Sequence, residues 1–169
     1  MTIDFANKAA LIVRRTAQFG LTQSQESDDL YEKWLLVWAC DVAGELGEVF
    51  EAETEREQIL ECGDVLWGLT ALCLLLEIPP IEIFNFDRQI SGGHDALTTS
   101  LRLLDHCKKV TRDGMETRKI DKPKMVEWMR SIFTWLEVNY PVGDALDAVE
   151  AKLRDRYPDG FTPQKSVNR

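Results

Sequence analysis

Hydrophobic residues recur every three or four positions along most of the chain, and no stretch alternates with a period of two for long enough to make a convincing strand. This pattern predicts an all-α fold. Helix ends are predicted from capping residues, glycine and proline. The expected helices are Ile3–Phe19, Asp29–Thr54, Glu55–Glu77, Ile81–Ile90, Asp95–Arg112, Pro123–Val138 and Val142–Tyr157. The tail Pro158–Arg169 is rich in turn formers and is predicted to be non-helical.

A chain of 169 residues is long enough for one domain with a sizeable core, so we expect residues 1–169 to form a single helical bundle. The two halves share an order of helices and proline breaks. Overlaying Ile59–Trp67 on Met125–Phe133 places Asp64 opposite Arg130. This favours a degenerate internal repeat, although two unrelated amphipathic helices also align passably.

Formal net charge is −9, and the acid is concentrated in the first half. Residues 1–85 hold 5 Lys and Arg against 16 Asp and Glu, a net charge of −11, whereas the remainder has 15 against 13 and a net charge of +2. Long-range repulsion argues against a protein that mainly coats nucleic acid or an anionic membrane. A solvated face, a cation site and a DNA-mimicking surface stay open.

No apolar run reaches the roughly 18 residues needed to cross a bilayer, and the N-terminus lacks the basic-then-apolar order of a signal peptide. We therefore expect a soluble intracellular protein with no membrane partner. Its four cysteines stand apart from one another and are expected to be reduced, structural thiols. They are Cys40, Cys62, Cys73 and Cys107.

Two successive helices each carry closely spaced carboxylates within apolar surroundings. Asp41, Glu45 and Glu48 follow one stripe of the first, and Glu61 and Asp64 lie three residues apart on the second. A single pair of this kind is more often a solvated face. Two pairs bordering packed surface are costly unless a positive group lies between them, because like charges repel and lose hydration.

A hard divalent cation is the natural positive group, since carboxylate oxygens suit Mg²⁺ or Mn²⁺. No histidine set is available for zinc, because His94 and His106 stand apart. Gly44 and Gly47, beside the acids, are expected to let another backbone come close.

The segments G-E-L-G-E-V at Gly44–Val49 and E-C-G-D-V-L-W at Glu61–Trp67 resemble the MazG-type all-α nucleoside triphosphate pyrophosphohydrolases. That family carries E-E-x-x-E, a gap, and then E-x-x-D. Gly44 replaces the first glutamate here, so one outer acid is missing. The ending Arg156–Arg169 also resembles the tail of many bacteriophage and bacterial members. The similarity covers Trp34–Phe84 and the tail.

The resemblance implies metal-dependent cleavage between the α and β phosphates of a nucleotide. Glu45, Glu48, Glu61 and Asp64 would hold Mg²⁺, with Mn²⁺ as a substitute, and Glu45 would also orient or deprotonate the attacking water. Asp41 either supports these ligands or is an ordinary helix acid. The resemblance also implies a homodimer or homotetramer, in the host cytoplasm if phage-encoded. Phage enzymes of the MazZ group remove guanine nucleotides, so dGTP or GTP is the substrate to test first.

Pyrophosphate leaving an acidic centre needs cationic help, which the second half supplies. The basic residues near one helix end are also explained by a favourable interaction with the helix dipole, without any contact to phosphate. The sequence pattern of the tail favours a lid that folds over the ligand. The candidate phosphate contacts are Lys108, Lys109, Arg112, Lys165 and Arg169.

Trp38 lies one turn before Asp41 and is a candidate for stacking on the base, although aromatic residues at helical spacing are more often core. A non-catalytic nucleotide sensor on the same bundle is the alternative function. Such a sensor need not keep all four carboxylates, and all four are present. An acidic DNA mimic would expose its acids rather than frame them with apolar residues.

Overall fold

The computed structural model describes residues 28–84, 95–114 and 117–156. Within these residues all regular structure is helical, which confirms the predicted all-α bundle. The predicted helix Ile3–Phe19 and the tail Pro158–Arg169 lie outside the described residues. The helices are α1 (Asp28–Glu51), α2 (Glu55–Leu75), α3 (Pro80–Ile83), α4 (Ala96–Asp113), α5 (Lys122–Asn139) and α6 (Val142–Arg156).

A tight connection joins α1 to α2. The hydroxyl of Thr54 accepts a hydrogen bond from the backbone N–H of Glu57, and the Glu57 carboxylate accepts one from the backbone N–H of Thr54. This reciprocal capping box starts α2. The predicted end of the first long helix at Thr54 is therefore wrong by three residues, because Thr54 belongs to the start of the next helix.

The C-terminal end of α2 lies two residues before the predicted boundary at Glu77. Glu77 adopts a left-handed backbone with φ of 55°, and the N–H of Ile78 bonds to the carbonyl of Cys73 at 2.8 Å. This geometry is typical of a helix stop, usually with glycine at the left-handed position. The next predicted helix, Ile81–Ile90, begins as α3, but α3 ends at Ile83 and Phe84 is not helical; residues 85–90 lie outside the described part.

α2 is the central helix of the bundle, with α1 and α6 packed against it, α4 against α1 and α5 against α4. Two glycines of α2 permit close contacts. A Cβ on Gly63 would lie 2.6 Å from the carbonyl oxygen of Ala145 in α6, and one on Gly68 would lie 2.7 Å from the side chain of Val42 in α1.

The close approach expected at Gly44 and Gly47 is not found, since no described atom beyond the adjoining backbone of α1 lies within 4 Å of a Cβ added at either position. Gly44 is exposed on the outer face of α1. α1 and α2 instead come close at Gly68 of α2, which faces Val42 of α1, whereas Gly63 faces α6.

α2 is long and apolar enough to cross a membrane by length and composition alone, contrary to the expectation that no run would qualify. Two-thirds of its most apolar window, 67%, is buried inside the bundle. Its apolar character is therefore explained by its central position, as in the core helix of a soluble protein.

Candidate metal centre

Three carboxylates converge where α1 and α2 run side by side. One oxygen each from Glu45, Glu61 and Asp64 lie within 4.8 Å of one another. The short connection between the helices turns the chain back on itself, so a residue one and a half turns before the end of α1 meets residues in the second and third turns of α2. The spacing of three places Glu61 and Asp64 on one side of α2.

Asp64 is the innermost of the three, with 5% of its surface exposed. Its Oδ2 accepts a hydrogen bond from the Nζ of Lys152 on α6. Its Oδ1 is buried and has no hydrogen-bond partner among the described residues. A buried carboxylate oxygen without a donor is costly, so the group is suited to a cation placed between the acids.

The acids raise one another's affinity for protons. Burial, followed by the charges of Asp64, Asp41, Glu48 and Glu61, raises the pKa of Glu45 to about 8. Burial and then the charge of Asp64 raise the pKa of Asp41 to about 6, and the same two causes raise the pKa of Glu61. The cluster therefore favours binding of positive charge, either protons or a metal ion.

The two other acids of the α1 stripe border this group. Asp41 is half-buried near Gly68, and its Oδ2 lies 3.5 Å from where a Cβ would stand on that glycine. Glu48 is exposed and is not among the three residues whose oxygens converge, yet its charge raises the pKa of Asp41, Glu45 and Glu61. It therefore lies at the open edge of the cluster.

Lys152 is a site residue that the sequence reading missed. It lies beside the buried stripe of α6 and reaches across to Asp64 on α2. Its charge lowers the pKa of Asp41 and Glu61, although both remain above their ordinary values. The sequence nevertheless contains an indication of this role. Lys152 falls three residues after Val149 and directly before Leu153, both of which are buried, so the aliphatic part of its side chain lies along the packed face of α6.

Trp38 lies in the core beside the cluster, with 8% of its surface exposed. Its ring stacks on Trp34 at a centroid distance of 6.0 Å and meets the edge of Trp67 at 5.5 Å. Little of the Trp38 ring is open to a base in this arrangement.

The basic residues of α4 lie away from the carboxylates. The hydroxyl of Thr111 bonds to the backbone carbonyl of Glu32, 13 residues before Glu45 and thus about 20 Å away along α1. Neighbouring acids already pair with two of these cations: Lys109 contacts Asp105, and Arg112 contacts Asp113. Of the remaining candidates, Lys108 is exposed, and Lys165 and Arg169 lie outside the described residues.

Comparisons of the chain with family models, curated proteins and solved structures give no match. The geometry of this centre and the two motifs that form it are therefore the features from which a function is inferred.

Proposed function

We propose that the protein is a divalent-cation-dependent nucleoside triphosphate pyrophosphohydrolase, which cleaves the bond between the α and β phosphates to release a nucleoside monophosphate and pyrophosphate. The observation that carries the proposal is the convergence of Glu45, Glu61 and Asp64, together with the buried Oδ1 of Asp64, which has no hydrogen-bond partner among the described residues. The two motifs that supply these residues resemble those of the MazG-type enzymes.

The donor set fits a hard cation. Glu45, Glu61 and Asp64 would hold it, with Glu48 at the open edge as a fourth ligand. The group offers only carboxylate oxygens, which favours Mg²⁺, with Mn²⁺ as a substitute. Such a cation, when bound, neutralises phosphate charge and lowers the pKa of a water molecule.

We assign the activation of water and the stabilisation of the leaving group to different side chains of the cluster. Glu45 lies at the meeting point of both helices and is assigned the orientation of the attacking water and the acceptance of its proton. Lys152 is assigned the stabilisation of charge on the departing pyrophosphate, because it brings an ammonium group to the same cluster. Lys165 and Arg169 of the tail stay predicted contributors to that charge.

The test is a panel of dNTPs and NTPs, with dGTP and GTP first, incubated with Mg²⁺ or Mn²⁺ and resolved by chromatography. We expect monophosphate and pyrophosphate in equal amounts and no activity with excess chelator. Diphosphate with orthophosphate would indicate attack at a different phosphorus. Metal-dependent nucleotide binding without turnover would identify the sensor instead. Light scattering tests the expected homodimer or homotetramer.

A further inference from the structure

An open groove runs between the N-terminal half of α2 and the C-terminal half of α6. Aliphatic side chains form its floor, and charged residues stand along its sides. The floor consists of Ile59, Leu60, Ala148 and Ala151, and Glu55, Arg56 and Asp155 form the rim.

Lys152 connects this groove to the acidic cluster. The lysine is one of the residues that line the groove, and its Nζ donates to the Oδ2 of Asp64. Leu60, on the floor, directly precedes Glu61 of the cluster. A molecule whose anionic end lies at the cluster can therefore extend into the groove without leaving the surface of α2.

The lining matches the chemistry of a nucleoside. The faces of a base are flat and apolar, which suits aliphatic side chains and two alanines that leave room for a ring. The planar guanidinium of Arg56 is able to stack on a base, and carboxylates at the rim accept hydrogen bonds from ring N–H and amino groups. We propose that the base and sugar of the nucleoside triphosphate bind in this α2–α6 groove.

A second groove, on the outer face of α1, is the competing location. Its apolar part contains Leu36, Val37 and Cys40, and its polar part is Asp41, Glu45 and Glu48. None of the described residues that line it is basic, whereas the α2–α6 groove contains Arg56 and Lys152 beside Glu55 and Asp155. The α2–α6 groove therefore offers a guanidinium that can stack on a base and a lysine at its junction with the cluster, where the phosphates lie, and the described part of the α1 groove offers neither.

The experiment fills each groove with one aromatic ring. Ala151→Phe places a ring on the exposed floor of the α2–α6 groove, and Val37→Phe does the same in the α1 groove, where Val37 is 40% exposed. For each variant the KM for the nucleoside triphosphates that the wild type hydrolyses is measured. The inhibition constant of inorganic tripolyphosphate, which has no base, is measured in parallel, and circular dichroism checks the fold.

We expect Ala151→Phe to raise KM on the order of tenfold or more while the inhibition constant of tripolyphosphate stays the same, and Val37→Phe to leave both values near those of the wild type. An unchanged KM for Ala151→Phe, or a raised KM for Val37→Phe alone, would overturn the proposal. A rise in both constants for Ala151→Phe would also overturn it, because the groove would then hold phosphate.

This inference rests on the proposed function, and the experiments distinguish a wrong base site from a wrong activity. A wild-type protein that hydrolyses nucleoside triphosphates, combined with an unchanged KM in Ala151→Phe, rejects the base site and leaves the activity standing. A wild-type protein that hydrolyses no nucleoside triphosphate rejects the activity and the base site together.

Discussion

The Nζ of Lys152 donates a hydrogen bond to the Oδ2 of Asp64 across 88 residues of sequence, and the two side chains are 24% and 6% exposed. The bond joins the last described helix to the central helix at its most buried acid. Among the described groups that shift the pKa values of Asp41 and Glu61, Lys152 is the only one that lowers them by charge attraction. It therefore offsets part of the repulsion within the cluster.

Replacing this lysine should damage both stability and turnover. We expect Lys152→Met to destabilise the metal-free protein by about 1–3 kcal/mol, because the buried Asp64 carboxylate loses its counter-charge. It should also lower kcat/KM on the order of tenfold or more. Urea unfolding and steady-state kinetics measure the two effects. Lys119→Met, at an exposed lysine, is the matched control, and equal behaviour of the two variants would remove Lys152 from the site.

Neutralising a convergent acid should separate catalysis from folding. Glu45→Gln is expected to lower kcat on the order of 100-fold or more and to weaken Mn²⁺ binding. Electron paramagnetic resonance measures the Mn²⁺ binding. Its melting temperature without metal should equal or exceed that of the wild type, since one of several repelling charges is gone. Glu51→Gln, at an exposed acid of the same helix, should change nothing. We expect Glu48→Gln to lose turnover as well.

The raised pKa values predict how stability depends on pH. Because the pKa of Glu45 rises from 4.5 to about 8 on folding and that of Asp41 from 3.8 to about 6, the folded state binds more protons than the unfolded state between these values. Proton binding by Glu45 and Asp41 therefore stabilises the folded state, and this stabilisation is fully present below about pH 4. It is lost as pH rises towards 8. Without metal, the melting temperature should therefore be lower at pH 8 than at pH 6.

Addition of Mg²⁺ or Mn²⁺ should reduce the difference in melting temperature between pH 6 and pH 8, because a bound cation replaces the protons in balancing the carboxylate charges. Differential scanning fluorimetry with and without chelator measures it. Glu45→Gln serves as the control and should show a smaller fall between pH 6 and pH 8. A pH effect that is the same in the wild type and in this variant would mean that other groups cause it.

The tail is predicted to matter to catalysis, although it supplies none of the proposed metal ligands. Deleting Thr162–Arg169 removes Lys165 and Arg169 and should lower kcat/KM on the order of tenfold to 100-fold. Helix content and melting temperature should stay nearly unchanged. If the truncated protein turns over normally, the tail has no part in the reaction and Lys152 carries the cationic role without it.

Glycine at the left-handed position after α2 should stabilise the fold. Glu77→Gly removes the steric cost of a φ of 55° and is expected to raise the free energy of unfolding by about 0.5–1 kcal/mol. Glu127→Gly, at an exposed position within α5, should instead lower it by about 1 kcal/mol. Chemical denaturation distinguishes the two. Equal losses in both variants would show that the left-handed geometry at Glu77 carries no strain.

Local patterns were enough to predict most of the described helices and the three acids that meet, although they also placed Glu48 in the group. The periodicity of apolar residues gave five of the described helices to within a few residues, since each depends on its own sequence. The spacing of Glu61 and Asp64 put both on one side of their helix. Lys152 was missed because its partner depends on how α6 packs on α2, and no local pattern encodes that choice.

The local sequence also failed to predict which glycines contact a neighbouring helix. Gly44 and Gly47 were expected to let another backbone come close, yet close packing occurs at Gly63 and Gly68. Which glycine faces a neighbouring helix depends on the rotation of each helix about its axis. That rotation is fixed by the whole apolar face rather than by the residues next to the glycine.

The hairpin of α1 and α2 brings Glu45 and Asp64 together over a short stretch of chain, whereas Lys152 joins them only when α6 docks. Short loops close faster than long ones, so we expect the carboxylates to meet early in folding and their lysine to arrive late. On this order, the negative charge of the centre would be assembled before its internal counter-charge. A chain shortened before α6, or still emerging during synthesis, carries the complete set of carboxylates with only protons or metal ions to balance them.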